Sequence, residues 1–176
     1  GEIDEKIRKH RTKSEAKILS DVKRAGVRAP VLYDVDLKRK DIIMEDIPGH
    51  MIKDIMPDLA HEKRKELAVA IGETIRAFHD VDIIHGDLTG SNMILVNNDL
   101  DDIKNNLAVF DFGLGRYSDL LEDKAVDLLV LKKSFQSVDY DIASETFDWI
   151  LDAYDSDSSK MRDKISEIQS RGRYTH

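Results

Sequence analysis

The stretch His85-Gly86-Asp87-Leu88-Thr89-Gly90-Ser91-Asn92 and the triplet Asp111-Phe112-Gly113 hold the residues best suited to chemistry. A carboxylate, Asp87, and an amide, Asn92, stand five residues apart on a loop, and a second carboxylate, Asp111, follows a short apolar run. Side chains spaced this way can converge on one divalent cation. Their hard oxygen donors suit Mg2+ bridging phosphates better than they suit Zn2+. Either motif alone has a plainer reading, because Asp and Asn also close side-chain turns and cap loops. Both together, each ending an apolar strand or helix, favour the metal–phosphate reading.

Those loops need elements to hold them. Two short strands, around Met93–Val96 and Leu107–Phe110, are joined by an acidic, Asn-rich turn, and polar loops flank them. Before them, the pattern from about Pro57 to Val81 is helical, with Leu67, Ile71, Ile75 and Phe78 on one stripe. The chain begins with a basic, one-faced helix of about twenty residues, carrying Ile3, Ile7, Ala16, Leu19 and Val22 and stopped by Gly26. A hairpin follows from Val31–Val35 and Ile42–Met44, and Ile47-Pro48-Gly49 breaks its second strand. The rest is helical: apolar over Ala125–Phe135, amphipathic over Tyr140–Tyr154, charged over Lys160–Gln169. The order of elements is α+β, and Arg171-Gly172-Arg173 reads as a mobile tail.

Other residues carry two readings each. His85 could serve as a base or metal ligand, but bracing the loop is the favoured role. Glu15 is either a solvated helical carboxylate or the partner of a nucleotide-binding lysine. Met44-Glu45-Asp46-Ile47 is either a plain strand exit or a hinge whose backbone receives adenine. Asp127 lies inside an apolar helix, a costly place for a charge unless it is hydrogen-bonded, so it reads as an anchor for the loop at His85. Trp149 reads as core.

Composition narrows the classes. The chain has 176 residues, 41% hydrophobic and 35% charged, enough for one domain with a real core. With 27 Lys and Arg against 35 Asp and Glu, the net charge of −8 leaves no overall basic surplus for nucleic acid or anionic lipid. Local surpluses exist: nine basic residues against five acidic in residues 1–28, and five against two from Lys160 to Arg173. Such patches suit tRNA or an acidic partner, or are simply solvated. The absence of Cys excludes disulfides, thiolate metal sites and a cysteine nucleophile. No apolar run approaches the roughly 18 residues of a membrane span, so a cytoplasmic protein without membrane contact is expected.

The loop from His85 to Asn92 and the Asp-Phe-Gly triplet follow the order and separation of protein-kinase motifs. Together with Arg11-Thr12-Lys13-Ser14-Glu15-Ala16, Ile43-Met44-Glu45, Gly113-Leu114-Gly115 and Glu122-Asp123-Lys124-Ala125-Val126-Asp127-Leu128, they resemble the bud-site-selection type of small atypical Ser/Thr kinase. That family is the kinase-like ATPase subunit of the KEOPS (EKC) complex. The last stretch is the most diagnostic, because it follows the metal loop where ordinary kinases place a long activation segment. The similarity runs from about residue 4 to the C-terminus.

The resemblance implies a two-lobed kinase-like fold. Residues 1–46 would be the remnant of the N-lobe, 47–170 a small helical C-lobe, and 171–176 a basic flexible tail. It implies ATP and Mg2+ as cofactors, with Asn92 and Asp111 on the metal and Asp87 orienting or deprotonating the attacking hydroxyl or water. Met44, Glu45 and Ile47 would form the adenine hinge, and Glu15 would pair with the ATP-binding lysine. It also implies a role in tRNA threonylcarbamoyladenosine formation, beside a threonylcarbamoyltransferase subunit and a small regulatory subunit, with tRNA contact through the first helix and the tail. One departure stands out. Family members begin with a glycine-rich loop and a strand lysine, neither of which precedes Glu15, so a longer chain is expected. Two alternatives compete: an aminoglycoside- or choline-type phosphotransferase, disfavoured by the roughly 60 residues after Gly113, and a kinase-shaped scaffold without catalysis.

Overall fold

A computed structural model describes residues 2–155 and 159–173 of the chain. Helix α1 (Glu2–Arg24) buries Ile18, Leu19 and Val22 against the body, and Gly26, at φ 90°, turns the chain out of the helix. The inward stripe is shorter than the sequence suggests, since Ile3 is exposed. Strands β1 (Leu32–Asp36) and β2 (Asp41–Met44) form the expected antiparallel hairpin, with an irregularity at Tyr33.

The second strand ends at Met44, before the Ile47-Pro48-Gly49 break, but the chain does not stay out of the sheets. It re-enters as β3 (Gly49–Met51), pairing antiparallel with β5 (Met93–Val96), which pairs in turn with β6 (Leu107–Val109). A short α2 (Ile52–Ile55) and a 3-10 turn (Met56–Asp58) come before α3 (His61–His79). The long helix therefore starts four residues after Pro57, because that proline occupies the preceding turn. Strand β4 (Ile83–Ile84) and, after the small helix α4 (Ile103–Asn106), strand β7 (Arg116–Tyr117) form a two-residue antiparallel clip. Neither strand is legible in the sequence, since two residues carry no period.

Helices α5 (Leu121–Val138), α6 (Tyr140–Tyr154) and α7 (Ser159–Arg173) complete the fold. The side chain of Asp139 caps α6 by accepting from the Asp141 and Ile142 N–H groups. The stripe Leu67, Ile71, Ile75 and Phe78 is wholly buried and meets Phe147, Ile150 and Leu151 of α6 in one core, which also takes Met161 and Ile165 of α7. Helix α7 continues through Arg173, so the tail expected from residue 171 begins inside a helix; residues 174–176 lie outside the described residues.

Helices α3 and α6 approach closely at Gly72. A Cβ there would lie 2.4 Å from the Ile150 carbonyl oxygen and 2.8 Å from the Ala153 Cβ. Gly72→Ala should therefore lower stability by about 1–3 kcal/mol, because overpacking outweighs the helix propensity gained. A thermal melt of the variant beside the unaltered protein checks it.

Candidate active site

The clip of β4 on β7 pairs Ile84 with Arg116, so the loop opening at His85 starts beside the exit of the Asp111-Phe112-Gly113 turn. Its other end is fixed by the sheet. Met93 pairs with Val109, which sets Asn92 beside Phe110, and the Phe110 N–H donates to the Asn92 carbonyl at 3.0 Å. The Phe110 carbonyl accepts from His85 Nε2 at 2.8 Å. Because a carbonyl can only accept, the imidazole hydrogen sits on Nε2. Nδ1 is then left to accept the Asp87 N–H at 3.1 Å. His85 is fully buried and packs on the Phe112 ring at 4.6 Å, the bracing role expected of it.

Asn92 donates from Nδ2 to the Asp87 carbonyl at 2.8 Å and reaches Asp87 Oδ2 at 3.4 Å. That donation fixes which way the amide faces and leaves its oxygen available to a cation. Asp111, next to Phe110, is exposed and holds φ 59°, the left-handed region that non-glycine residues rarely occupy. Glu15 of α1 faces the same turn. A Cβ on Gly113 would meet Asp111 Oδ1 at 3.4 Å and Glu15 Oε2 at 3.7 Å. Burial, and then repulsion from Asp111, raise the Glu15 pKa above its usual value.

Under the loop lies Asp127, 2% exposed. Its carboxylate accepts from the His85 N–H at 2.8 Å, the Gly86 N–H at 3.0 Å and His79 Nε2 at 2.9 Å. It is the anchor its position in an apolar helix predicts. With Nε2 donating, His79 Nδ1 accepts the Tyr154 hydroxyl at 2.8 Å. Gly86, at φ 87°, could bear no side chain: a Cβ would stand 2.2 Å from the Leu114 carbonyl oxygen.

Met44, Glu45 and Ile47 line a cavity of about 120 Å³ with Pro30, Asp46, Ile94 and Phe110. Phe110 thus joins this cavity directly to Asp111. The Glu45 N–H is already committed to the Val31 carbonyl at 2.8 Å, so among the described residues a planar base there would meet the Glu45 carbonyl and the Ile47 backbone. Larger hollows of about 510 and 590 Å³ lie elsewhere, one along α3 and residues 101–104, the other between His50, Asp58 and Asn98. Size therefore does not mark this site; convergent chemistry does. Sequence reading missed Arg28, whose guanidinium holds both oxygens of Glu45 at 2.8 Å, and the pair His79–Tyr154. Only the following Pro30 hints that the chain around Arg28 is extended.

Among the described residues no three carboxylates or imidazoles gather as a self-sufficient metal site. Asn92 and Asp111 would hold the cation through hard oxygen donors, too few to bind a metal alone and of the kind suited to Mg2+ arriving with phosphate. The donor set thus fits the implied cation.

The elements and the two loops define a kinase-like protein. The chain belongs to the lipopolysaccharide kinase (Kdo/WaaP) family, whose model matches residues 4–154. Its curated relatives carry the names of the family that the resemblance in the sequence implies. A probable bifunctional tRNA threonylcarbamoyladenosine biosynthesis protein of Methanobrevibacter smithii is 55% identical over 99% of this chain. The KEOPS complex subunit Bud32 of Pyrococcus abyssi is 38% identical, over 98% of this chain and 78% of that protein. The chain spans 31% of the length of the bifunctional relative. Among solved structures, WaaP in complex with acyl carrier protein matches with a TM-score of 0.73 at 16% identity, covering 90% of this chain and 73% of that one, a likeness of fold alone.

Burial, only partly offset by Asp127, lowers the His79 pKa below the ordinary imidazole value of 6.5. Below that value the unfolded chain takes up a proton that the native state refuses, so stability should fall as pH falls from about 6.5. Denaturant titrations between about pH 5 and 7.5 should show this slope, and His79→Gln should flatten it. A second loss should follow below the ordinary carboxylate value of 4.5. Hydrogen bonding from Arg28 holds Glu45 down at about 2, so its stabilisation disappears as pH falls toward that value.

Proposed function

We propose that this chain is the kinase-like part of a KEOPS-type assembly and acts as an ATP-dependent phosphotransferase or ATP hydrolase in tRNA threonylcarbamoyladenosine formation. The observation that carries the reading is the double hydrogen bond of Phe110, through its N–H to Asn92 and through its carbonyl to His85. It ties the loop bearing Asp87 to the turn bearing Asp111, and Phe110 also lines the cavity offered to adenine. The names of the relatives support the pathway, and the family supports phosphoryl chemistry in general.

In this reading Met44, Glu45 and Ile47 seat the base, and Asn92 and Asp111 hold Mg2+, which neutralises phosphate charge when bound. Asp87 orients the attacking hydroxyl or water and takes its proton as the oxygen attacks the γ-phosphorus and ADP leaves. Positioning and charge compensation carry the rate, as is general for this reaction. Glu15, held beside Asp111 with a raised pKa, is poised for a cation; the ammonium of a nucleotide-binding lysine would satisfy it. Phosphorylation of Ser or Thr is the finer form of the activity we propose.

The partners follow the same line: a threonylcarbamoyltransferase subunit, a small regulatory subunit and tRNA. Helix α7 is a weaker tRNA candidate than its charge count suggests. Arg162 pairs with Asp148 and Asp152, Lys164 with Glu167, and Arg171 with Glu122. Four of the nine basic residues counted in residues 1–28 fall in residues 4–11, whose side chains lie outside the described residues. Among the described residues no helix is long and apolar enough to cross a membrane.

The test uses the full-length protein that carries this chain. ATP turnover should require Mg2+, and Asp87→Asn should lower kcat by about 10²–10⁴-fold, the usual worth of a positioned proton acceptor. Asp111→Ala should remove turnover while keeping the partner subunits bound. Unchanged turnover in both variants would exclude catalysis at this site and favour the scaffold alternative. Stimulation by an aminoglycoside or choline would favour the small-molecule phosphotransferase.

A further inference from the structure

Arg28 lies in no regular element and enters none of the roles above, yet it touches both ends of the cleft. Its carbonyl accepts the Val109 N–H at 2.9 Å, two residues before Asp111. Its guanidinium grips Glu45 through two parallel hydrogen bonds of 2.8 Å and also donates to the Ala29 carbonyl at 3.0 Å. Glu45 Oε1 accepts the Val31 N–H at 3.2 Å, while the Glu45 N–H donates to the Val31 carbonyl. The side chain and N–H of Glu45 are thus both tied to the Arg28–Val31 segment. Pro30, from that same segment, forms one wall of the small cavity.

We propose that Arg28 is the positioning residue that sets base selectivity, a deepening that rests on the nucleotide reading of this site. By fixing Glu45, the guanidinium orients the Glu45 carbonyl toward the cavity, where it accepts a hydrogen from an exocyclic amine such as that of adenine. A guanine base presents a carbonyl oxygen at the corresponding edge and meets an acceptor instead of a donor. A planar fork does this better than a point charge, because two parallel bonds fix rotation as well as distance. Through its own backbone the same residue fixes the hinge relative to β6, so the base end and the metal end share one reference.

The experiment measures ATP, GTP and inorganic tripolyphosphate binding to the full-length protein with Mg2+, together with steady-state kinetics. Arg28→Lys should weaken ATP binding about tenfold, the loss expected of a charge-assisted fork. It should also narrow the preference for ATP over GTP, leave tripolyphosphate affinity unchanged, and act on KM more than on kcat. Glu45→Gln, which keeps size but loses the charge, should move the same quantities in the same direction, and it keeps the test open if Arg28→Lys folds poorly. If the unaltered protein binds ATP, and both folded variants keep its affinity and base preference, the inference is overturned while the nucleotide reading stands. If the unaltered protein binds none of the three ligands, the nucleotide reading fails and the inference with it.

Discussion

One buried carboxylate organises this molecule. Asp127 sits on α5 among Leu128, Leu129 and Leu131, where an unpaired charge would be very costly. It is tolerated because three N–H donors converge on it, two of them backbone groups at the start of the His85 loop. The need to satisfy that charge is therefore also the force that shapes the loop. With His85 and Gly86 pinned from below, Gly86 is pressed against the Leu114 carbonyl, and the His85 ring is aimed at Phe110 and Phe112. Asp87 then projects from a segment whose neighbours on both sides are already fixed, the preorganisation a positioned proton acceptor needs. His79 and Tyr154 extend the support into α3 and α6, so the packing of the helical core bears directly on the geometry of the loop.

How much of this could be read from residues alone depends on whether a feature has a period or a spacing. The stripe on α3 has both, and all four residues are buried as its pattern requires. Strand β5 and helix α6 fall at Met93–Val96 and Tyr140–Tyr154, the limits their patterns give. Asp127 is legible for the opposite reason, being a charge in an apolar run with few physical excuses. Features that rest on a single long-range contact stay hidden: the β4–β7 clip spans two residues on each side, and the Arg28–Glu45 fork joins positions 17 residues apart. The tail at Arg171 misleads because its apolar content is low. It remains helical through continuity with α7, and Arg171 reaches Glu122 on α5.

The candidate site also explains an electrostatic oddity. Proteins seldom crowd carboxylates without a counter-charge, yet among the described residues no cation pairs with Glu15, half-buried beside Asp111, and Asp111 holds a left-handed backbone conformation. Elsewhere the chain pairs its charges readily, as in Arg28–Glu45, Arg116–Asp123 and Lys124–Asp82. The contrast separates structural ion pairs, which are closed, from a cleft left negative. A negative cleft gains most from multivalent or clamped cations, and it lowers the free energy of the assembled site only when they arrive. Carboxylate repulsion at Asp111, beside ion pairs that are closed, is the pattern expected where function rather than stability sets the side chains.

The short path from Asp111 to α5 carries the argument a step further. Only seven residues separate Gly113 from Leu121, where α5 begins, and most are tied down. Arg116 and Tyr117 pair with β4; the Tyr117 hydroxyl donates to Asp21 of α1 at 2.5 Å, with Lys17 over its ring; and the Ser118 N–H donates to the Asp82 carbonyl. A segment this short and this bonded has no slack with which to fold away from the cleft. Its close approach to the His85 loop requires a residue without a side chain at Gly86. The Asp111 turn is thus held by the native fold itself. Its alignment rises and falls with the stability of α1 and the β4–β7 clip rather than with a separate ordering event.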